Sequence, residues 1–510
     1  MTTYLLGIDI GTGGSKALLI DEQGNVAANI TTEYPLSTPK PLWSEQSPQD
    51  WYNATVASIR KALDQSEVDP KHVAAIGLTG QMHGLVLLDA KGEVLRPAIL
   101  WNDQRTAAQC DEIHDRIGAD TVLRITGKPA LTGFTAPKIL WVKQHEPDIY
   151  ERITKILLPK DYIRFRLTGE FLSDVTDASG TSLFDVAARQ WSDELIDALG
   201  VPRHWLAHVT ESPVASAKLS GEAATATGLL QDTPVIAGAS DQAAEAIGCG
   251  IVDDGAVSVT IGTSGVTFAA TAECELDRNG KLHAYCHAVP GMWHVMGVML
   301  SGGGSLRWFR DKLGGEEMMQ AAVREIDPYE VLIEGASEVR PGCEGLFFLP
   351  YLTGERTPHA DPNARGAFIG LTLRHNKWHM TRAVMEGVTF GLMDSIQLVR
   401  DMGFDVSKVR VSGGGARSEL WRQMMADVFN AEVATVNITQ GAAYGAALLA
   451  GVGIRVFENV QQAAKSTVRE TDSLRPGADA AVYGRYYERY RALYPALAAQ
   501  FSAIASLDGT

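Results

Sequence analysis

Cysteine is scarce: five residues are scattered through 510 positions, with no C-x-x-C pair among them. An odd, dispersed set does not make a disulfide framework, so a reducing, cytoplasmic setting is expected. No uninterrupted apolar run of about 18 residues occurs, and the N-terminus lacks the basic region, apolar core and cleavage site of a leader, so neither membrane nor export is expected. Basic charge is also in deficit. Lys and Arg number 45 against 61 Asp and Glu, a net charge of −16. Duplex nucleic acids are bound chiefly through Lys and Arg, so they are excluded as partners. A small anionic substrate would need a local site of backbone amides, a metal ion or single basic side chains. What is abundant is apolar residue, 45% of the chain, enough for large cores. The length fits two domains.

The stretch "LLGIDIGTGGSKALLIDEQGN", residues 5–25, carries a glycine cluster of the phosphate-cradling kind. Lys16 follows Gly14 and Ser15, the wrong order for a Walker A loop, and Gly11, Gly13 and Gly14 do not have the Rossmann spacing. The apolar run Lys16–Ile20 that follows is strand-like and ends in a turn, so the segment predicts a β-hairpin. Its glycines are expected to adopt torsions closed to other residues and to aim amide N–H groups at phosphate. Asp9 would repel phosphate unless a cation lay between, and Mg2+, bound through one carboxylate and phosphate oxygens, is the natural mediator. The pattern recurs in "AVSVTIGTSGVTFAA", residues 256–270, and the two Gly-Thr pairs lie 262 − 11 = 251 positions apart. Two domains with the same opening hairpin are implied, spanning 1–247 and 248–510. Strand-like runs alternate with amphipathic stretches in both halves, as in an α/β layered fold.

Four further segments can carry chemistry. In "TPVIAGASDQAAEAIGCG", 233–250, Asp241 is either a helix N-cap or a general base at the carboxyl end of a strand, where open α/β sheets bind ligands. In "GLTGQMHGLVLLD", 77–89, Gln81, Met82 and His83 are bracketed by glycines. "LWNDQR", 100–105, adds mixed donors and acceptors suited to sugar hydroxyls. In "VRVSGGGARSELW", 409–421, a strand enters a triple-glycine turn followed by a helix with Ser418 in its first turn, a surface against which a flat base can lie, and "MLSGGGSLRWF", 299–309, is similar. "HAYCHAVPGMWH", 283–294, would bring His283, Cys286 and His287 together as metal ligands if helical and would split them if a strand. The stripe Tyr483, Tyr486, Tyr487, Tyr490, Tyr494 and Leu497 has helical spacing and is assigned to core packing.

With these segments in place, the chain resembles the FGGY family of carbohydrate kinases, and within it the branch acting on D-xylulose, over nearly its full length. "GFTAPKILWVKQH", 133–145, and "GERTPHADPNARGAFIGL", 354–371, are similar to the family's two signatures, while "GQMHG", "LWNDQR" and "LLPKDYIRFRLTGEF" are similar to the xylulose-acting branch. The resemblance implies an α/β fold of two ribonuclease-H-like domains, of the actin/hexokinase type, around a central cleft. It implies ATP as co-substrate, Mg2+ at Asp9, and a possible homodimer. By matching position, Asp241 is the general base, and Met82, His83, Asp241 and Gln242 are sugar contacts. Thr12, Gly262 and Thr263 belong to the phosphate hairpins, and Gly303, Arg307, Gly414 and Ser418 to the nucleotide site. Gln242 stands where some xylulose-acting members carry Asn, and Arg307 where glycerol kinases carry an amide. A kinase for another ketose or polyol, or a non-catalytic actin-like nucleotide-binding protein, would share the hairpins.

Overall fold

In the computed structural model, which describes residues 2–507, the two Gly-Thr segments open two sheets of one topology. β1 (Tyr4–Ile10) and β2 (Gly14–Asp21) pair antiparallel, with Asp9 opposite Lys16 and Ile10 opposite Ser15. β3 (Val26–Glu33), β4 (Val73–Gly80), β5 (Ala215–Lys218) and β6 (Pro234–Ile236) complete the order β5-β6-β4-β1-β2-β3, with β4 parallel to both β1 and β6. The second sheet contains β7 (Val257–Ile261), β8 (Gly265–Thr271), β9 (His283–Cys286), β10 (Trp293–Met299), β11 (Lys408–Gly413), β12 (Glu432–Val436) and β13 (Glu470–Leu474). Its order is β9-β10-β8-β7-β11-β12-β13, and β7 pairs antiparallel with β8 and parallel with β11, as β1 does with β2 and β4. The expected doubled, ribonuclease-H-like architecture is present.

The hairpin glycines correct one expectation. Gly11, Gly13, Gly14 and Gly262 all lie outside the left-handed region. What glycine supplies there is space. A Cβ at Gly14 would sit 2.8 Å from the Thr32 carbonyl oxygen, whereas Gly11 and Gly13 face outward, with nothing closer than 3.4 Å. Gly262 is equally open, its nearest atom 3.8 Å away. The turns are bare on the side where phosphates would lie.

Seven of the helices frame the two sheets. α1 (Pro48–Ser66) starts on a proline, whose fixed φ suits a first turn, and buries Trp51, Thr55, Ile59 and Ala62 at helical spacing. α2 (Asp241–Gly248) follows β6, α3 (Gly303–Leu313) follows β10, and α4 (Lys377–Asp401) precedes β11. α5 (Glu419–Phe429), α6 (Ala442–Gly453) and α7 (Ala480–Leu507) complete the set. Tyr483, Tyr487 and Tyr490 of α7 are buried in the second core, as the stripe predicted.

α6 lies across the first sheet although it comes from the second half of the sequence. Gly7 and Gly77 are side by side in β1 and β4, and a Cβ on them would meet the carbonyl oxygens of Ala443 and Ala446 at 2.0 and 1.9 Å. A Cβ on Gly445 would come within 1.8 Å of the Ala244 oxygen in α2. Backbone therefore packs directly on backbone, which only glycine permits. On β1, Leu6, Ile8 and Ile10 point toward α1, and Leu5, Gly7 and Asp9 toward α6. The N-terminus of α6 sits over Gly7, so Asp9, one step further along that face, is left uncovered.

Candidate active site

Three acids meet beyond the N-terminus of α6. Ala239 and Ser240 pair with Thr79 and Gly80 at the end of β4, and this short bridge delivers Asp241 as the first residue of α2. Ser240 holds the N-cap position, so the structure removes the capping account of Asp241. The Asp241 carboxylate accepts a hydrogen bond from the Gln242 N–H at 2.7 Å, and Gln242 is half-buried beside it. Burial, reinforced by the negative charge of Asp9, pushes the Asp241 carboxyl up to about 7. Asp9 is itself raised, mainly by burial, with Lys16 opposing and Glu245 adding to the shift. Glu245, one helical turn along α2, accepts hydrogen bonds from Thr260 of β7 at 3.1 Å and Ser412 of β11 at 3.0 Å. The helix carrying Asp241 is thereby attached to the second sheet.

Asp9 tests well as a cation ligand. Its carboxylate accepts no hydrogen bond among the described residues, and it stands beside a turn whose Gly11 and Gly13 are open. Among the same residues no group of three or more His, Cys, Asp or Glu side chains is arranged to hold a metal. A single carboxylate suits Mg2+, which takes its remaining ligands from phosphate and water.

Behind Asp241 lies a buried charge cluster for which no sequence pattern is a signal. Lys160 Nζ pairs with Asp161, with Asp174 at 3.2 Å and with Asp177 at 3.7 Å, all four side chains being closed to solvent. Asp177 has no hydrogen-bond partner among the described residues, and burial raises its carboxyl well above the usual range. Thr176 Oγ1 donates to Asp174 Oδ2 at 2.6 Å and accepts from the Ser240 N–H at 2.8 Å. The cluster thus fixes the residue that precedes Asp241.

The Met82–His83 loop is clamped on all sides. His83 adopts φ 68, a left-handed conformation that is unfavourable for a side chain with a Cβ. Its carbonyl accepts from Thr135 Oγ1 at 3.1 Å and Lys138 Nζ at 2.9 Å, and Nδ1–H donates to the Gly180 oxygen at 2.8 Å. Burial and the Lys138 charge hold the imidazole well below its ordinary pKa. A neutral ring whose Nδ1 donates presents Nε2 as an acceptor. Phe134 lies against it at 4.7 Å, and Met82 packs with Val266, Tyr285, Met296 and Val298 from the second half.

The nucleotide candidates converge. A cavity of about 760 Å³ is lined by Gly262, Thr263, Gly303, Arg307, Gly414 and Ser418, with Tyr329, Ile333 and Leu420 as further walls. Gly414 is open, its nearest atom 4.0 Å from a Cβ, while Gly413 takes φ 81 and Gly415 abuts Ile261. Gly303 is required by packing as well, since its Cβ would meet the Gly262 oxygen at 2.6 Å. Ser418 is the N-cap of α5 and not in its first turn; its Oγ accepts from the Trp421 N–H at 3.2 Å. Arg307 is largely exposed, with Asp311 3.7 Å away.

Other expectations change. Thr12 Oγ1 accepts from Trp101 Nε1 at 2.9 Å and donates to Gln81 at 3.2 Å, so Trp101 and Gln81 brace the first turn. In the same 100–105 segment, Asp103 is buried and paired with Arg105, which removes both from sugar binding. His283 and Cys286 lie on β9, a strand that splits them between faces.

The comparisons agree with this geometry. Residues 4–248 match the model of the FGGY carbohydrate kinase N-terminal domain and 257–454 that of the C-terminal domain. A xylulose kinase of Escherichia coli (strain K12) is 42% identical over 96% of this chain and 99% of its own. A gluconokinase of Bacillus subtilis (strain 168) is 34% identical over 97% and 95%. The solved structure of a ligand-bound xylulose kinase from Lactobacillus acidophilus superposes with TM-score 0.91 at 28% identity, covering 98% of this chain and all of that one. Paired Gly-Thr hairpins, an acid at the first-sheet switch point and a glycine-floored cavity beside the second hairpin find their common explanation here: this chain belongs to the FGGY family of carbohydrate kinases and is an ATP-dependent sugar kinase.

Proposed function

We propose that the acceptor is D-xylulose, phosphorylated at its C5 hydroxyl, with Asp241 as general base. The observation that carries this is Asp241 itself, a carboxyl near 7 at the head of α2, with the Met82–His83 loop at the same carboxyl end of β4 and Asp9 close enough for its charge to act. Phosphoryl transfer asks a protein mainly for positioning and charge stabilisation. Asp241 accepts the hydroxyl proton as the C5 oxygen bonds to the γ-phosphorus and the bond to the ADP oxygen breaks. His83 Nε2 and Gln242 hold other sugar hydroxyls. The turns at Thr12 and Gly262-Thr263 direct amides at the phosphates, and the cavity at Gly303, Arg307, Gly414 and Ser418 takes the nucleoside. Bound at Asp9, Mg2+ would neutralise charge on the β- and γ-phosphates. Units dividing near 247/248, with α6 remaining on the first sheet, close over both substrates and exclude water, the competing acceptor.

Both xylulose and gluconate kinases stand among the relatives, so the acceptor is tested directly. ADP release is followed over a panel of D-xylulose, other ketoses, pentitols and D-gluconate. D-Xylulose should give the highest kcat/KM; a higher value for D-gluconate replaces the acceptor and leaves the kinase chemistry in place.

A further inference from the structure

Two hydrogen-bonding side chains of the second half are left without protein partners where that half meets the Met82–His83 loop. Tyr285 is fully buried on β9, and its hydroxyl makes no hydrogen bond among the described residues. Its ring is fixed by Lys128, whose Nζ lies 3.9 Å from the centroid and donates to the oxygens of Thr126 and Ala284 at 2.6 and 2.8 Å. Arg356 is half-buried, and its guanidinium has neither a hydrogen-bond nor an ion-pair partner among the described residues. Elsewhere Arg96, Arg105, Arg189 and Arg382, all well shielded, are each paired with a carboxylate.

Arg356 is held in place by its neighbours. The Leu300 N–H donates to Glu355 at 2.9 Å, and the Val298 N–H donates to Thr357 Oγ1 at 3.1 Å. Val298 packs in the same cluster as Met82 and Tyr285. From the other side, a Cβ on Gly133 would lie 3.8 Å from an Arg356 nitrogen, and Phe134, the next residue, is the one that packs on His83. Beyond the dominant effect of burial, the Arg356 charge acts on both His83 and Tyr285, and Tyr285 also feels Asp241. Two donors without partners thus stand near two acceptors, His83 Nε2 and the Asp241 carboxylate.

We infer that Arg356 and Tyr285 bind the carbonyl-bearing end of an open-chain 2-ketose, opposite the hydroxyl that Asp241 deprotonates. This rests on the sugar site proposed at Met82 and His83. A guanidinium offers a planar fork of donors that can serve two neighbouring oxygens, here O1 and the C2 carbonyl, and the phenol adds a third donor. A shielded group that finds its partner only in the substrate also rejects molecules that leave it unpaired.

The test is a KM split in the full-length enzyme. Arg356→Met should raise KM for D-xylulose on the order of 10–100-fold, the value of a hydrogen bond to a charged group, with KM for ATP within about twofold. Arg356→Lys should recover part of the loss, and the isosteric Tyr285→Phe should raise the sugar KM by roughly tenfold without unfolding. An unchanged sugar KM in Arg356→Met and Tyr285→Phe overturns the assignment, as does an equal rise for sugar and ATP. Failure of the wild type to phosphorylate any ketose or polyol would instead overturn the sugar site, independently of either variant.

Discussion

Asp241 is a carboxylate held where a carboxylate is costly, and that cost has a sign. Its folded pKa, about 7, lies above the ordinary value of 3.8, so the native state binds the proton more tightly than the unfolded chain. Stability from this group is fully present below pH 4 or so and is lost as pH rises through about 7. Asp241→Asn should therefore unfold at a higher temperature than wild type at pH 8 and at the same temperature near pH 4, measured by thermal denaturation. The same variant should lose turnover by roughly 10²–10⁴-fold while keeping ATP affinity. Wild-type kcat/KM should fall as pH drops through about 7, because the proposed base must be ionised to act. A second residue-scale prediction uses Gly180, whose Cβ would lie 2.7 Å from His83 Nδ1 and 3.1 Å from Met82 Cε. Gly180→Ala should displace the Met82–His83 loop and, on the proposed sugar site, raise KM for sugar about tenfold, with KM for ATP unmoved.

At the scale of elements, the hairpins make a separable prediction about folding and activity. Gly11 has ordinary torsions and outward space, so Gly11→Val should melt within a few degrees of wild type yet lose nearly all turnover. Lys16→Ala should be mild in both respects, and Asp9→Asn should be slow and partly rescued by raised Mg2+, read from rates across a Mg2+ series. For the charge cluster, Lys160→Met leaves three buried acids uncompensated and should cost about 3–5 kcal/mol in denaturant unfolding. These elements differ in how legible they were. The hairpins could be read because a Gly-Thr turn between apolar runs is a local pattern, and Asp241 because a strand followed by small residues marks a switch point. The left-handed His83 could not be read, since its conformation is imposed by Thr135, Lys138 and Gly180 across the fold. Arg356 and Tyr285 were visible only as residues inside quoted segments, because a missing partner is a fact about three dimensions. The hairpin glycines were located correctly and explained by torsion, whereas the structure explains them by room.

For the whole molecule, the crossing of α6 over the first sheet governs what can be separated. The face it seals includes Leu5, Leu18, Ile20 and Ile236, packed against Ala443, Leu448 and Leu449. A fragment of residues 1–247 made alone should be insoluble or bind a hydrophobic dye, and co-production with 248–510 should restore a soluble, active pair; a monomeric, cooperatively unfolding 1–247 would contradict this. Among the described residues no helix is long and apolar enough to cross a membrane. The consequence reaches into synthesis. Strands that leave the ribosome first, from Tyr4 on, must wait for a helix that begins at Ala442, 442 − 4 = 438 residues later, roughly 20–90 s at ordinary elongation rates. Through that interval the nascent chain shows an apolar sheet face that its own continuation has yet to cover, which makes translation speed and chaperone supply determinants of yield for an enzyme whose finished form hides the need for either.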